Sequence, residues 1–311
     1  MKEIKIGIEI GGTNIVWGYL NEKGESKIVS RLKTQDFLAF DDFFQHISGD
    51  IRVFLDEKNY LLKGVGIAAP NANREKGIIE NAANLPWQGS IYIKEKFLKK
   101  FPVNIVLDND ANAAAIGEKT YGNAKDYHDF IMITLGTGLG SGIFSNNALL
   151  YGANTLAGEL GHIIIHENSE RNCGCGRKGC LETYCSAKGM QLTADELLGE
   201  SKEKSILSEQ NPITPLSIWE AAKKKDAVAL QVYDKTAKSL ALALANAVCV
   251  TNPQAIIIGG GIAQSGDYLF SPLKRYFSEY LLHIYHNTVE IKESNLSHKE
   301  AGVLGAIALL E

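Results

Sequence analysis

The sequence predicts an α/β protein in which one unit is given twice, and three observations predict it. Period-two apolar runs alternate with helical-period runs in the order β-β-β-α-β-α-β-α, and that order returns, with insertions, in the second half. A strand, a glycine turn and a second strand open each half, as EIKIGIEI–GGT–NIVWGYL at 3–20 and ITLGTGLGSGIF at 133–144. The chain has 311 residues, 45% hydrophobic and 22% charged, which is globular and long enough for two domains of ordinary size. A duplicated α/β unit is expected to hold its ligand in the cleft between its halves.

Residues 3–10 alternate, NIVWGYL and SKIVSRL continue the pattern, and Asn21-Glu22-Lys23-Gly24 supplies a hairpin turn, so three antiparallel strands open the chain. In the run 40–58, Phe40, Phe43, Phe44, Ile47, Ile51, Phe54 and Leu55 recur at helical spacing, which predicts an amphipathic helix on that sheet. LKGVGIAA at 62–69 reads as a strand stopped by Pro70, and 71–86 as an exposed loop or hairpin. A helix near 91–100, a strand at 103–110 and a helix at about 111–120 complete the first half. In the second half, 226–250 reads as a long buried helix, QAIIIGGG as a strand with a glycine turn, SPLKRYFSEYLL as a helix and AGVLGAIALL as the last helix. The polar stretch 191–216, with Pro212 and Pro215, reads as a surface helix plus linker.

The net charge of −4 and the lack of a long basic run point away from nucleic acid and anionic membranes. No apolar stretch is long enough to span a bilayer, and the N-terminus runs straight into a strand, so a cytoplasmic protein is expected. Of five cysteines, Cys173, Cys175 and Cys180 fall within eight residues, with His162 and His166 just upstream. Cys-x-Cys-x4-Cys in a glycine-rich turn near a histidine has the ligand types of a closed tetrahedral zinc site, in a reducing compartment. Cys185 and Cys249 read as ordinary small residues. Glu159 and Glu182 bracket the cluster, so a metal there would act as a clamp fixing two carboxylates.

Three glycine turns follow strands: Gly11-Gly12-Thr13, Gly136-Thr137-Gly138 with Gly140, and Gly259-Gly260-Gly261. Glycine lets backbone N–H groups approach a phosphate, and threonine adds a hydroxyl. One such turn reads equally as a hairpin bend; two threonine-bearing turns, one per half, plus a third suggest a nucleotide held across a cleft. Between the first two lies LDNDANA at 107–113, where a strand meets a helix. Asn109 or Asp110 is a good N-cap there. Alternatively Asp110 is a general base, with Asn109 orienting a substrate hydroxyl, a pairing that suits phosphoryl transfer to an alcohol.

Together, GIEIGGTN at 7–14, LDNDANAAAIGE at 107–118, ITLGTGLGSGIF at 133–144, AGELGH at 157–162, CGCGRKGCLE at 173–182 and IIIGGGIA at 256–263 resemble the ROK family over essentially the whole chain. The resemblance implies the actin-like ATPase (ribonuclease H-like) duplicated α/β fold. It implies a small domain of residues 1–110 plus 300–311 and a large domain of 111–299 carrying the zinc loop. Within the family, ANLPW at 83–87 looks most like bacterial glucokinases. The implied activity is ATP-dependent phosphorylation of a hexose 6-hydroxyl, glucose first and fructose, mannose or an N-acetylhexosamine as alternatives. The implied cofactors are ATP, Mg2+ and structural Zn2+, and the implied assembly is a homodimer. By the same resemblance, Gly11, Gly12, Thr13 and Asn14 match the first phosphate loop, Gly136, Thr137, Gly138 and Gly140 the second, and Gly259, Gly260 and Gly261 the turn beside adenosine. Asp110 matches the catalytic base. Asn109, Glu159, His162 and Glu182 match sugar ligands, with Asn84 a further candidate. His162, Cys173, Cys175 and Cys180 match the zinc ligands, which leaves His166 a surface residue at a strand end. Glu9 stands where most of the family has Asp, at the carboxylate that holds Mg-bound waters, and Pro70-Asn71 stands where many members have Pro-Gly. The family also contains sugar-sensing repressors with a winged helix-turn-helix ahead of the first phosphate strand. Here that strand opens at about residue 3, so a regulator is the remote expectation.

Overall fold

The structure is a computed structural model that describes residues 2–200 and 204–311. In chain order its elements are β1 (Lys2–Ile10), β2 (Asn14–Asn21), β3 (Ser26–Lys33), α1 (Phe40–Lys58), β4 (Tyr60–Ala69), β5 (Ala72–Asn73), β6 (Ile78–Glu80), β7 (Ser90–Ile91), α2 (Ile93–Lys100), β8 (Asn104–Asn109) and α3 (Asp110–Tyr121). The second half adds β9 (Phe130–Leu135), β10 (Leu139–Ser145), β11 (Ala148–Leu149), α4 (Glu182–Cys185), α5 (Ala187–Glu200), α6 (Pro215–Lys223), α7 (Ala227–Thr251), β12 (Ala255–Gly259), α8 (Asp267–Tyr280), β13 (Glu290–Glu293) and α9 (Ala301–Ala308).

The duplication lies in the topology. One five-stranded sheet has the order β3-β2-β1-β4-β8 and the other β11-β10-β9-β12-β13. In each, an antiparallel meander of three strands is followed by two strands added in parallel. This is the actin-like ATPase fold. No described helix is long and apolar enough to cross a membrane.

The chain divides into two compact units. Unit 1 runs to Asp126, takes in Tyr151–Thr155 and closes with Asn295–Glu311; unit 2 comprises Tyr127–Leu150 and Leu156–Ser294. The core of unit 1 joins Ile4, Ile6, Ile8 and Ile10 of β1 to Phe43, Phe44, Ile47 and Ile51 of α1. α1 forms where expected: Asp41 and Asp42 in its first turn and Lys58 in its last complement the helix dipole, and Asn59 ends it in the left-handed region at φ 52°. The other face of this sheet is covered by α9. Gly7 and Gly66 are register partners on β1 and β4. A Cβ would sit 2.3 Å from the Val303 carbonyl oxygen at Gly7 and 1.7 Å from that of Ala306 at Gly66, so only glycine lets the helix backbone lie this close. α3 packs on α9 in turn. For this reason the structure carries unit 1 through α3 to Asp126, past the boundary expected at 110/111, and starts its final segment at Asn295 rather than 300.

Unit 2 is organised around α7, whose Leu240, Leu244 and Val248 are fully buried among Ile131, Ile133, Ile256 and Ile258 of β9 and β12. Asp226 caps α7 by accepting from the Ala229 N–H at 3.0 Å. One local expectation is extended and two are revised. The hairpin expected in 71–86 forms as β5–β6, and β7 joins it to make a small three-stranded sheet. α8 begins at Asp267, so Pro272 sits inside the helix rather than at its start. In the 191–216 stretch, 191–200 belong to α5, 201–203 lie outside the described residues, and Pro215 opens α6 behind a Thr214 capping box.

Candidate active site

In unit 1 the ends of β1, β4 and β8 gather the predicted residues. The Gly11–Thr13 turn is closed by the Gly11 N–H donating to Asn14 O at 2.9 Å. Thr34 then pins it, its hydroxyl donating to Gly11 O at 2.6 Å and its N–H to Thr13 O at 3.0 Å. Thr13 is exposed. Asn84 lies against this turn, its carbonyl oxygen 2.9 Å from where a Gly12 Cβ would be. Glu9 points from β1 toward α9 and the start of α3. Burial, then the negative charge of Asp110, raise its carboxyl above the ordinary range, against an opposing pull from Arg31.

Asp110 is the first residue of α3 and is exposed. Asn109 is the N-cap: its Oδ1 accepts from the Ala111 N–H at 2.9 Å and the Asn112 N–H at 3.4 Å. Capping and substrate orientation are therefore compatible in Asn109, because the cap uses Oδ1 and a sugar oxygen would use Nδ2. The Ala111 N–H also reaches Asp110 Oδ1 at 2.9 Å, so the carboxylate lies at the positive end of the helix.

In unit 2, β9 and β12 are parallel neighbours with Gly259 opposite Thr134, which sets the second and third glycine turns side by side. Thr137 is exposed, and the Gly136 N–H donates to Gly138 O at 3.0 Å. Gly260 adopts φ 94° against the Leu135 carbonyl. Gly259 is buried against Met132, so it serves as a packed strand end and leaves the exposed part of the turn to Gly261.

His162, Cys173, Cys175 and Cys180 come together, one ligand atom from each lying within 4.8 Å of all the others. His162 Nδ1 is 3.4 Å from Cys173 Sγ, and Cys175 Sγ is 3.6 Å from Cys180 Sγ. Tetrahedral zinc with bonds of about 2.0–2.3 Å has edges of roughly 3.4–3.8 Å, so the donor set fits zinc. Burial raises the Cys175 thiol, but hydrogen bonds from Arg177 outweigh it and bring it down to about 6, which offers one ready thiolate. The other ring nitrogen of His162, Nε2, faces Glu159 Oε2 at 3.9 Å. Ser141 pins the Glu159 loop to β10, donating to Gly158 O and accepting from the Leu160 N–H. Glu182 follows Cys180 by two residues, and its Oε2 accepts from the Leu139 N–H at 3.0 Å, while its Oε1 lies 3.9 Å from Cys173 Sγ. His166 stands apart from the cluster, edge-on to Tyr184 at 4.5 Å, with burial lowering its pKa.

The ROK family model matches residues 5–311. The chain belongs to the ROK family. It is 35% identical to a glucokinase of Halalkalibacterium halodurans, over 96% of this chain and 92% of that one. Among solved structures, a ROK family glucokinase of Streptomyces griseus in complex with glucose and AMPPNP is 29% identical, with a TM-score of 0.85 and 98% of both chains covered. A ROK family transcriptional regulator, a homologue of the E. coli MLC protein, is 25% identical with a TM-score of 0.87, over 99% of this chain and 77% of that one.

Two groups in this ROK protein escape a reading of the sequence. Arg171 is nearly buried, and it fastens the cysteine loop to α4 and α5. Its guanidinium donates to Thr183 O at 2.7 Å, to Thr193 Oγ1 at 2.9 Å and to both Glu196 oxygens at 2.9 and 2.6 Å, and it stacks on Tyr184 at 4.3 Å. Asp108, beside the N-cap, is buried with its carboxylate fully engaged. The partners of the Arg171 guanidinium lie 12 to 25 residues away, and Arg74 and Tyr151 lie 34 and 43 residues from Asp108, so no local spacing rule reaches these contacts.

Proposed function

We propose that this chain is an ATP-dependent hexose kinase acting on the 6-hydroxyl, with glucose as the first substrate to test. The observation that carries the reading is the exposed Asp110 carboxylate opening α3 at the end of β8, beside an N-cap asparagine whose amide nitrogen is left to face a hydroxyl. The full-length similarity to glucokinases supports the same substrate class.

In this reading Asp110 accepts the proton of the sugar 6-hydroxyl as that oxygen forms its bond to the γ-phosphorus. The bond from phosphorus to the β,γ-bridging oxygen breaks, and ADP leaves with the electron pair. Asn109, Glu159, His162 and Glu182 hold the other hydroxyls, with Asn84 as a further contact. The N–H groups and hydroxyls of the turns at 11–14, 136–140 and 259–261 receive the nucleotide. The mutual repulsion of Glu9 and Asp110 suits a nearby cation, and magnesium held through Glu9 would offset phosphate charge when bound. His162, Cys173, Cys175 and Cys180 would hold a structural zinc, and with Nδ1 so engaged the ring of His162 would present Nε2 toward Glu159 and the sugar.

A coupled assay over common hexoses and N-acetylhexosamines tests the proposal. Turnover with ATP is expected, highest with glucose. Asp110→Asn is expected to lower kcat by about 10²–10⁴-fold with glucose affinity within about twofold of wild type. No ADP release with any of these sugars would refute the kinase reading, and near-normal turnover in Asp110→Asn would refute the assignment of the base.

A further inference from the structure

Asp108 is buried near the end of β8, directly before Asn109 and Asp110, and its side chain is 2% exposed. Four donors converge on it. Oδ1 accepts from the Asn109 N–H at 2.7 Å and from Asn112 Nδ2 at 3.1 Å. Oδ2 accepts from the Tyr151 hydroxyl at 2.8 Å and from Arg74 Nη1 at 3.0 Å. Arg74 Nη1 also lies 3.2 Å from the Tyr151 oxygen, which closes a triangle.

The two oxygens do different work. Oδ1 grips both ends of the first turn of α3, the turn that carries Asp110 between the N-cap and Asn112. Oδ2 is held by residues remote in sequence: Arg74 from the β5–β6 loop, and Tyr151 from the five-residue segment that belongs to unit 1 between two stretches of unit 2. Burial, then the Asp108 charge and its hydrogen bond, push the Tyr151 phenol well above its ordinary range, so it stays a donor. A buried carboxylate that aligns a strand end with a helix start would fix the direction of the intervening side chain.

We propose that Asp108, clamped by Tyr151 and Arg74, is a positioning residue for the base: it sets the angle at which β8 delivers Asp110 without touching substrate. The proposal rests on the kinase reading above. It predicts that the Tyr151–Thr155 segment contributes, through Tyr151, to turnover and not to nucleotide or sugar affinity.

The test is a double-mutant cycle on the full-length protein, with sugar binding titrated separately so that rates are expressed per active site. Tyr151→Phe, which removes one donor and keeps the ring, is the mild variant. We expect it to lower kcat about three- to tenfold, with the KM for ATP and the Kd for glucose within about twofold of wild type. Asp108→Asn, which sets an amide NH2 against donors, is expected to lower kcat at least tenfold. In the Asp110→Asn background neither substitution should lower the residual rate further, because the group being aimed is gone. A merely structural role gives the same loss in both backgrounds, and that result overturns the proposal. Wild-type kcat in Tyr151→Phe and Asp108→Asn, in an enzyme that phosphorylates hexose, overturns the proposal alone. A wild-type protein without hexose turnover overturns the kinase reading and this role with it.

Discussion

Replacing Gly138 by alanine tests whether Glu182 is aimed by the second glycine turn. An added Cβ would lie 2.6 Å from Glu182 Oε2, about 0.8 Å inside ordinary contact. The carboxylate has to retreat by that distance, which stretches its 3.0 Å bond from the Leu139 N–H beyond hydrogen-bonding range. A hydrogen bond to a charged acceptor is worth about 1.5–3 kcal/mol, or roughly 10- to 150-fold in an equilibrium that needs Glu182 in place. Glucose binding is measured by calorimetry without nucleotide, so that any effect of the turn on ATP does not enter. Gly138→Ala is expected to raise the glucose Kd about tenfold or more. Gly136→Ala is the control from the same turn, since a Cβ there meets nothing within 4 Å, and its Kd should stay within about twofold of wild type. Wild-type affinity in Gly138→Ala, or equal losses in both variants, refutes the reasoning.

Two further outcomes follow from the same geometry. Cys175→Ser should abolish bound zinc, read by elemental analysis, and weaken glucose binding about tenfold; the loss should be incomplete, because Arg171 still fastens the loop and Leu139 still holds Glu182. Undiminished glucose affinity in the metal-free variant would remove the clamp. Glu9 is an acid whose folded pKa is raised above 4.5. As pH rises through that value the unfolded chain loses the proton first, so ionising Glu9 costs stability. Glu9→Gln should therefore gain stability over wild type at pH 7, with the gain vanishing below about pH 4, in urea unfolding at both pH values. A gain that is the same at both would show that Glu9 does not titrate in the fold.

What could be read from the sequence was what is written in short-range spacing. The helix at 40–58 was legible from seven apolar residues on one face, and so were all five strands of the first sheet and β9, β10 and β12 of the second. The four metal-ligand candidates are legible because three of them sit within eight residues. β13 was not, because Glu290–Glu293 is a polar edge strand whose only claim to be one is its pairing with β12. The unit boundary was missed because α3 reads as the start of something new, while its packing partner α9 lies almost two hundred residues downstream. Asp108 was visible as a letter in the LDNDAN motif, but its purpose depends on Arg74 and Tyr151, which only the fold brings to it.

The cover that α9 gives to the first sheet has a consequence for how the protein comes to be made. Synthesis delivers β1 and β4 early and α9 last, after every residue of unit 2. Until then the glycine-lined face of the first sheet is bare, and unit 1 can reach only a partly finished state on the ribosome. α9 follows β13, the last strand of the second sheet, by only eight residues, so the cover of the first sheet arrives with the final strand of the second. The first unit, begun first, is thus finished no earlier than the second.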